Sequence, residues 1–131
     1  PVDVWGDGLQ TRSFLYIDEC IEATRRLMKG DFMGPVNIGS EEMVTIDELV
    51  NIACKVSGKT VEKVHITDSN GVRGRNSCND LIREKLGWDY EQTLEEGIRK
   101  TYEWIVEQNP KATDHEKFED ALDYEENYFQ G

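Results

Sequence analysis

The chain has 131 residues, 37% of them hydrophobic and 32% charged, with only 3 Pro; this size and balance fit one globular domain able to bury about two thirds of its unfolded surface, and exclude collagenous, fibrous and disordered classes. A formal charge of −12, from 27 acidic against 15 basic residues, repels nucleic acid and anionic membranes through its long-range field, so neither is an expected partner. No apolar run approaches the roughly 20 residues that span a bilayer, Pro1 follows neither a basic nor an apolar leader region, and Cys20, Cys54 and Cys78 are odd in number and far apart, which together read as a soluble, cytoplasmic protein with reduced thiols.

In chain order, VDVW and SFLYI are β-branched or aromatic and predict two strands, with Gly6-Asp7-Gly8 as the turn of a hairpin between them. Asp18 is the expected cap of a helix whose Cys20, Ile21, Thr24, Leu27 and Met28 share one face and which stops at Gly30. Residues 35–38 predict a short strand. Thr45 and Glu48 form a capping box ahead of the stripe Leu49, Val50, Ala53 and Val56, with Gly58 as the stop. Residues 61–66 predict another strand.

A third helix is expected from a Ser77 cap through Leu81, Ile82 and Leu86 to Gly87. The Thr93/Glu96 box opens a fourth, carried by Leu94, Ile98, Thr101, Tyr102 and Ile105 and ended by Asn109-Pro110. The order β-β-α-β-α-β-α-α is a mixed α/β arrangement without internal repeats. From residue 110 the sequence holds 7 acidic and 2 basic residues with few aliphatics, and its end fits E-x-x-Y-x-Q-G, which resembles the recognition site of tobacco etch virus protease. The expected organisation is therefore a body, residues 1–109, and an acidic tail, residues 110–131, that lies outside the fold.

Chemistry-bearing motifs are sparse. No Gly-x-Ser-x-Gly elbow, HExxH pair, Walker loop or zinc-ligand spacing occurs, so no catalytic or metal residue is assigned. Gly6 and Gly8 lead into a strand, whereas a dinucleotide loop must open a helix. Trp5, Trp88 and Trp104 are too far apart to form a stacking platform and read as packing, and alternation puts His65 on a solvent face.

The informative feature is the placement of arginine. Gly71-Val72-Arg73-Gly74-Arg75-Asn76-Ser77 concentrates two guanidinium groups among glycines in an otherwise acidic chain. Such a loop can receive an anion, because the arginine fork matches phosphate oxygens and glycine permits close backbone approach. It can equally pair with surface carboxylates such as Asp68 or Asp80. Gln10-Thr11-Arg12-Ser13 is a second island, readable as a binding segment or as an edge strand carrying one arginine.

Four segments, WGDGLQTRSFLYIDECIEATRRL, FMGPVNIGSEEMVTIDEL, GVRGRNSCNDLIREKLGW and LEEGIRKTYEWI, together resemble the C-terminal part of the GDP-mannose 3,5-epimerase family, extended short-chain dehydrogenases/reductases, over about residues 2–108. The resemblance implies a C-terminal substrate-binding portion of that α/β fold, lacking the N-terminal Rossmann half. It further implies that Gln10, Thr11, Arg12 and Arg75 contact the diphosphate side of GDP-mannose or a related nucleotide sugar, with Arg73 as a lesser candidate.

The intact family uses NAD, but its Gly-rich loop, its Tyr-x-x-x-Lys pair and its Cys and Lys acid/base residues match no segment here. The resemblance thus implies no cofactor held by this chain and no epimerisation by it alone. A separated portion would expose apolar surface and an unpaired strand edge, so self-association or docking onto another epimerase chain is also expected. The chain departs from the family pattern at Cys78, where an acidic residue is common, and at Asp89-Tyr90, where a Pro usually follows Gly-Trp.

Overall fold

A computed structural model describes residues 1–67 and 72–108. The chain divides into two units, Pro1–Arg99 and Lys100–Gly131. Of the second, only the end of one helix is described, and the expected acidic tail lies outside the described residues. The elements are β1 (Val2–Trp5), β2 (Thr11–Ser13), α1 (Ile17–Lys29), β3 (Met43–Thr45), α2 (Ile46–Ser57), β4 (Lys63–Ile66), β5 (Gly74–Arg75), α3 (Asp80–Leu86) and α4 (Leu94–Gln108). The mixed α/β class holds. Among the described residues no helix is long and apolar enough to cross a membrane.

The expected hairpin does not form. Gly6 and Gly8 adopt φ of +81° and +71°, and the Asp7 carboxylate accepts the Leu9 N–H, so a tight turn is present. Its flanks join different sheets: β1 runs parallel to β4, while β2 lies between β3, antiparallel, and β5, parallel. The turn is pulled toward α2 instead, where Asp47 N–H donates to the Gly8 carbonyl and Ile46 N–H to that of Gln10. A Cβ at position 8 would also sit 2.5 Å from the Asp47 carboxylate. Competing tertiary hydrogen bonds therefore outweigh the local preference.

The strand expected over SFLYI lies earlier, at Thr11–Ser13, and shares only Ser13 with it, because Tyr16 is already the N-cap of α1 and Ile17 its first residue. Asp18 lies in the first turn beside Glu19, favourable for the helix dipole but not a cap. The strand expected at residues 35–38 does not form among the described residues; Val36 and Ile38 pack onto the core while the hydrogen-bonded strand forms at Met43–Thr45. For α3 the N-cap is Asn79, not Ser77. The Thr45/Glu48 box is complete, as is that of Thr93 and Glu96, and Gly58 and Gly87 take the left-handed conformation that ends α2 and α3.

The core gathers Ala23, Ile82 and Trp88, with Leu15, Val36, Ile38, Leu86 and Tyr90 against it. Of the other tryptophans, Trp5 and Trp104 are largely exposed. The apolar face expected for α1 is split: Ala23 is fully buried, whereas Ile21 and Met28 are 57% and 81% exposed. With Ile17 they form an outward stripe on the helix.

Candidate functional site

The two arginine islands meet. β2 and β5 pair in parallel with Thr11 opposite Gly74 and Arg12 opposite Arg75, and Thr11 N–H donates to the Arg73 carbonyl at 2.9 Å. Close pairing here suits glycine, since a Cβ at position 74 would lie 2.9 Å from the Thr11 hydroxyl. Arg12 is half-buried, and its terminal nitrogens donate to the carbonyls of Thr11 and Val72, both at 2.7 Å. Anchored this way, its remaining N–H groups keep a defined direction. Arg75 is exposed and, among the described residues, its side chain has no hydrogen bond or ion pair.

Both side chains line a cleft of about 280 Å³. One wall is the β2–β5 sheet continued by Ser13, Leu15, Asn76 and Ser77; the other is the unladdered segment 37–40. Among the described residues no carboxylate lines it; Arg12 and Arg75 share it with neutral polar residues and the apolar Leu15 and Ile38. The remaining predicted residues stand beside it. Gln10 donates its amide to the Trp5 carbonyl at 2.6 Å, and Thr11 is half-buried in the sheet. Arg73 pairs with both oxygens of Asp7, a contact that holds the Asp7 carboxyl below its ordinary range. Asp68, a possible partner at the sequence level, lies outside the described residues, and Asp80 is taken by Arg83.

Behind the cleft sits a polar network. Arg83 donates to both oxygens of Glu41, to Asp80 and to Asp89. Its guanidinium, followed by the Asn79 N–H, holds the Glu41 carboxyl below the usual range. Burial pushes Asp89 upward, but bonds from Arg83, Asn79 and the Tyr90 N–H outweigh it and leave the carboxyl low. Glu41, Cys78 and Asp80 could together offer metal ligands, yet Arg83 already sets a positive charge against two of them. His65 is exposed as expected, with Nε2 3.0 Å from an Asp47 oxygen.

No family model matches the chain. It is 54% identical over 109 residues to the GDP-mannose 3,5-epimerase of Arabidopsis thaliana, covering 83% of this chain and 29% of that protein; GDP-mannose 3,5-epimerase 1 of Oryza sativa subsp. indica is 53% identical over the same extent. Among solved structures, UDP-glucose 4-epimerase of Thermotoga maritima with UDP-glucose aligns with a TM-score of 0.77 at 29% identity, over 82% of this chain and 35% of that one. UDP-glucuronic acid 4-epimerase of Bacillus cereus aligns with 0.75 at 27%, over 82% and 36%. The chain has the fold of the extended short-chain dehydrogenases/reductases that include the epimerases and dehydratases. It is a partial segment of that fold, spanning less than a third of the curated relatives it matches.

In this segment Gly6 and Gly8 open no helix among the described residues, so they do not fit a pyrophosphate-binding dinucleotide loop. A second cleft, of about 270 Å³, lies along α1 and is lined by Asp18, Glu19, Glu22, Asp89 and Glu91 with Arg26. Sequence reasoning missed the wall at 37–40 and the network of Asn79, Arg83, Glu41 and Asp89. The cluster Asn37, Gly39, Ser40 was a usable signal for a polar loop, but it read as the end of a strand.

Proposed function

We propose that this chain is the nucleotide-sugar-holding part of an NAD-dependent epimerase of the GDP-mannose 3,5-epimerase type, and that Arg12 and Arg75 clamp the diphosphate of GDP-mannose or a related nucleotide sugar. The observation that carries this reading is the cleft itself: two arginines and, among the described residues, no carboxylate, in a chain of net charge −12. A diphosphate supplies the opposite charge and enough oxygens to engage a fork from each side. Gln10 and Thr11 contribute from the same strand segment, and Arg73, already held by Asp7, contributes least.

The chain does not epimerise alone. Oxidising a sugar needs the nicotinamide and the groups that position it, and the sequence holds neither a Gly-rich loop nor a Tyr-x-x-x-Lys pair. Its own part is to fix the register of the substrate for chemistry done by other residues. Calorimetric titration of GDP-mannose into the chain, beside Arg12→Ala and Arg75→Ala, tests this. Saturable binding that both substitutions weaken is the expected result; no heat at millimolar ligand overturns the proposal.

The α1 stripe favours a second reading, a surface for self-association or for docking onto another epimerase chain. Ile17, Ile21 and Met28 are 58%, 57% and 81% exposed on one helix, which leaves apolar area to be covered. Light scattering at tens of micromolar, with and without a complete epimerase, decides it: a monomer unchanged by mixing sinks this reading.

A further inference from the structure

We infer that Asn79 is a positioning residue that sets the distance between the two walls of the arginine cleft, an inference that rests on reading the cleft as a diphosphate site. Asn79 is fully buried. Its Nδ2 donates to the Gly39 carbonyl at 2.8 Å, on one wall, and its Oδ1 accepts the Ser77 hydroxyl at 2.7 Å, on the other. The same amide reaches Asp89 at 3.3 Å, and its backbone N–H donates to Glu41 at 2.9 Å. A side-chain amide has one acceptor oxygen and two donor hydrogens, and here both ends are engaged across the cleft.

Leu15 on the sheet wall and Ile38 on the other both pack onto the core, and their backbones are otherwise weakly tied. The sheet wall rests on only two paired positions between β2 and β5, and segment 37–40 belongs to no ladder among the described residues. The walls nevertheless touch: a Cβ on Gly39 would lie 2.6 Å from the Ser77 Cβ and 2.7 Å from its hydroxyl. Arg83 braces the arrangement from behind through Glu41 and Asp89, both partners of Asn79. A buried amide satisfied at both ends is directional, and exchanging its N–H for an oxygen turns one attraction into a repulsion. Asn79 thus acts on a ligand it does not touch.

The test is Asn79→Asp, which keeps the acceptor for Ser77 and places an oxygen against the Gly39 carbonyl. Binding of GDP-mannose, which spans both walls, is measured beside binding of inorganic pyrophosphate, which needs only Arg12 and Arg75 on the sheet wall. The expected result is a loss of about tenfold or more for GDP-mannose with pyrophosphate changed less than about twofold. Equal loss of both ligands, or loss of neither, overturns the inference, since general damage to the fold would not discriminate between them. Gly39→Ala, which pushes the walls apart without altering Asn79, is expected to repeat the pattern if Asn79→Asp fails to fold. Should the unmodified chain bind neither ligand, the diphosphate reading fails and backbone amide NMR still decides the bridge: Asn79→Asp must displace signals of residues 37–40 and 75–77 together, and displacement of only one group overturns it.

Discussion

Two clefts of nearly equal volume lie on the first unit, about 280 and 270 Å³, and their linings are opposite in charge. Among the described residues one presents two arginines and no carboxylate, the other five carboxylates and one arginine. The difference lies in how the charges arrive. The acidic cleft draws Asp18, Glu19 and Glu22 from adjacent turns of α1, where neighbours in sequence are neighbours in space. The arginine cleft exists only because two very short strands, far apart in the chain, pair in parallel. A charge excess of −12 makes the acidic lining the ordinary outcome, and the cationic one the feature that requires a reason.

The strongest way to break this contrast is to reverse it. Arg12→Glu with Arg75→Glu would give the first cleft the sign of the second, and calorimetry should show GDP-mannose binding abolished, while each single alanine variant weakens it by about 10- to 100-fold. Unchanged affinity in either alanine variant would show that charge does not distinguish the clefts. Ile82→Ala probes what both share, the fully buried core beside Trp88. It leaves both linings intact and should cost about 2–5 kcal/mol in denaturant unfolding.

The clefts should also separate by pH. Arg25 and Arg26 hold the Glu22 carboxyl at about 2 against an ordinary 4.5. The unfolded chain then binds the proton first, so this contribution is whole above pH 4.5 and fades as the pH falls toward 2. NMR titration of the Glu22 carboxyl checks it; a midpoint near 4.5 would mean that these exposed pairs do not form in solution. Among the described residues the arginine cleft has no carboxylate to titrate, so no such change is expected in that lining. The smallest effect belongs to Arg73→Ala. It frees Asp7 to titrate in its ordinary range and should change GDP-mannose affinity by less than about twofold, as expected of an exposed ion pair beside the cleft.

Legibility followed interaction range. The Thr45/Glu48 and Thr93/Glu96 boxes were readable because each closes within four residues, and Gly58 and Gly87 because a left-handed stop is a single-residue property. The buried side of α1 was only half readable. Periodicity groups Ile21 and Met28 with Cys20 and Leu27, but only the Ala23 side meets the core. For the site, Arg12 and Arg75 stood out by contrast with an acidic chain, whereas Asn79 and Arg83 carried no local mark. Their partners Gly39, Glu41 and Asp89 are loop residues whose proximity no spacing encodes.

By itself, then, the sequence determined where α2 and α4 begin and where α2 and α3 stop, the acidic excess of the chain, and which residues resemble a nucleotide-sugar site. Tertiary structure alone decided that β1 joins β4 rather than β2, that residues 35–38 join no strand among the described residues, and that Arg12 lines the same cleft as Arg75. The physical reason is that caps and turns are settled by hydrogen bonds within a few residues. Strand partners are settled by competition among all the segments a folded chain can bring together.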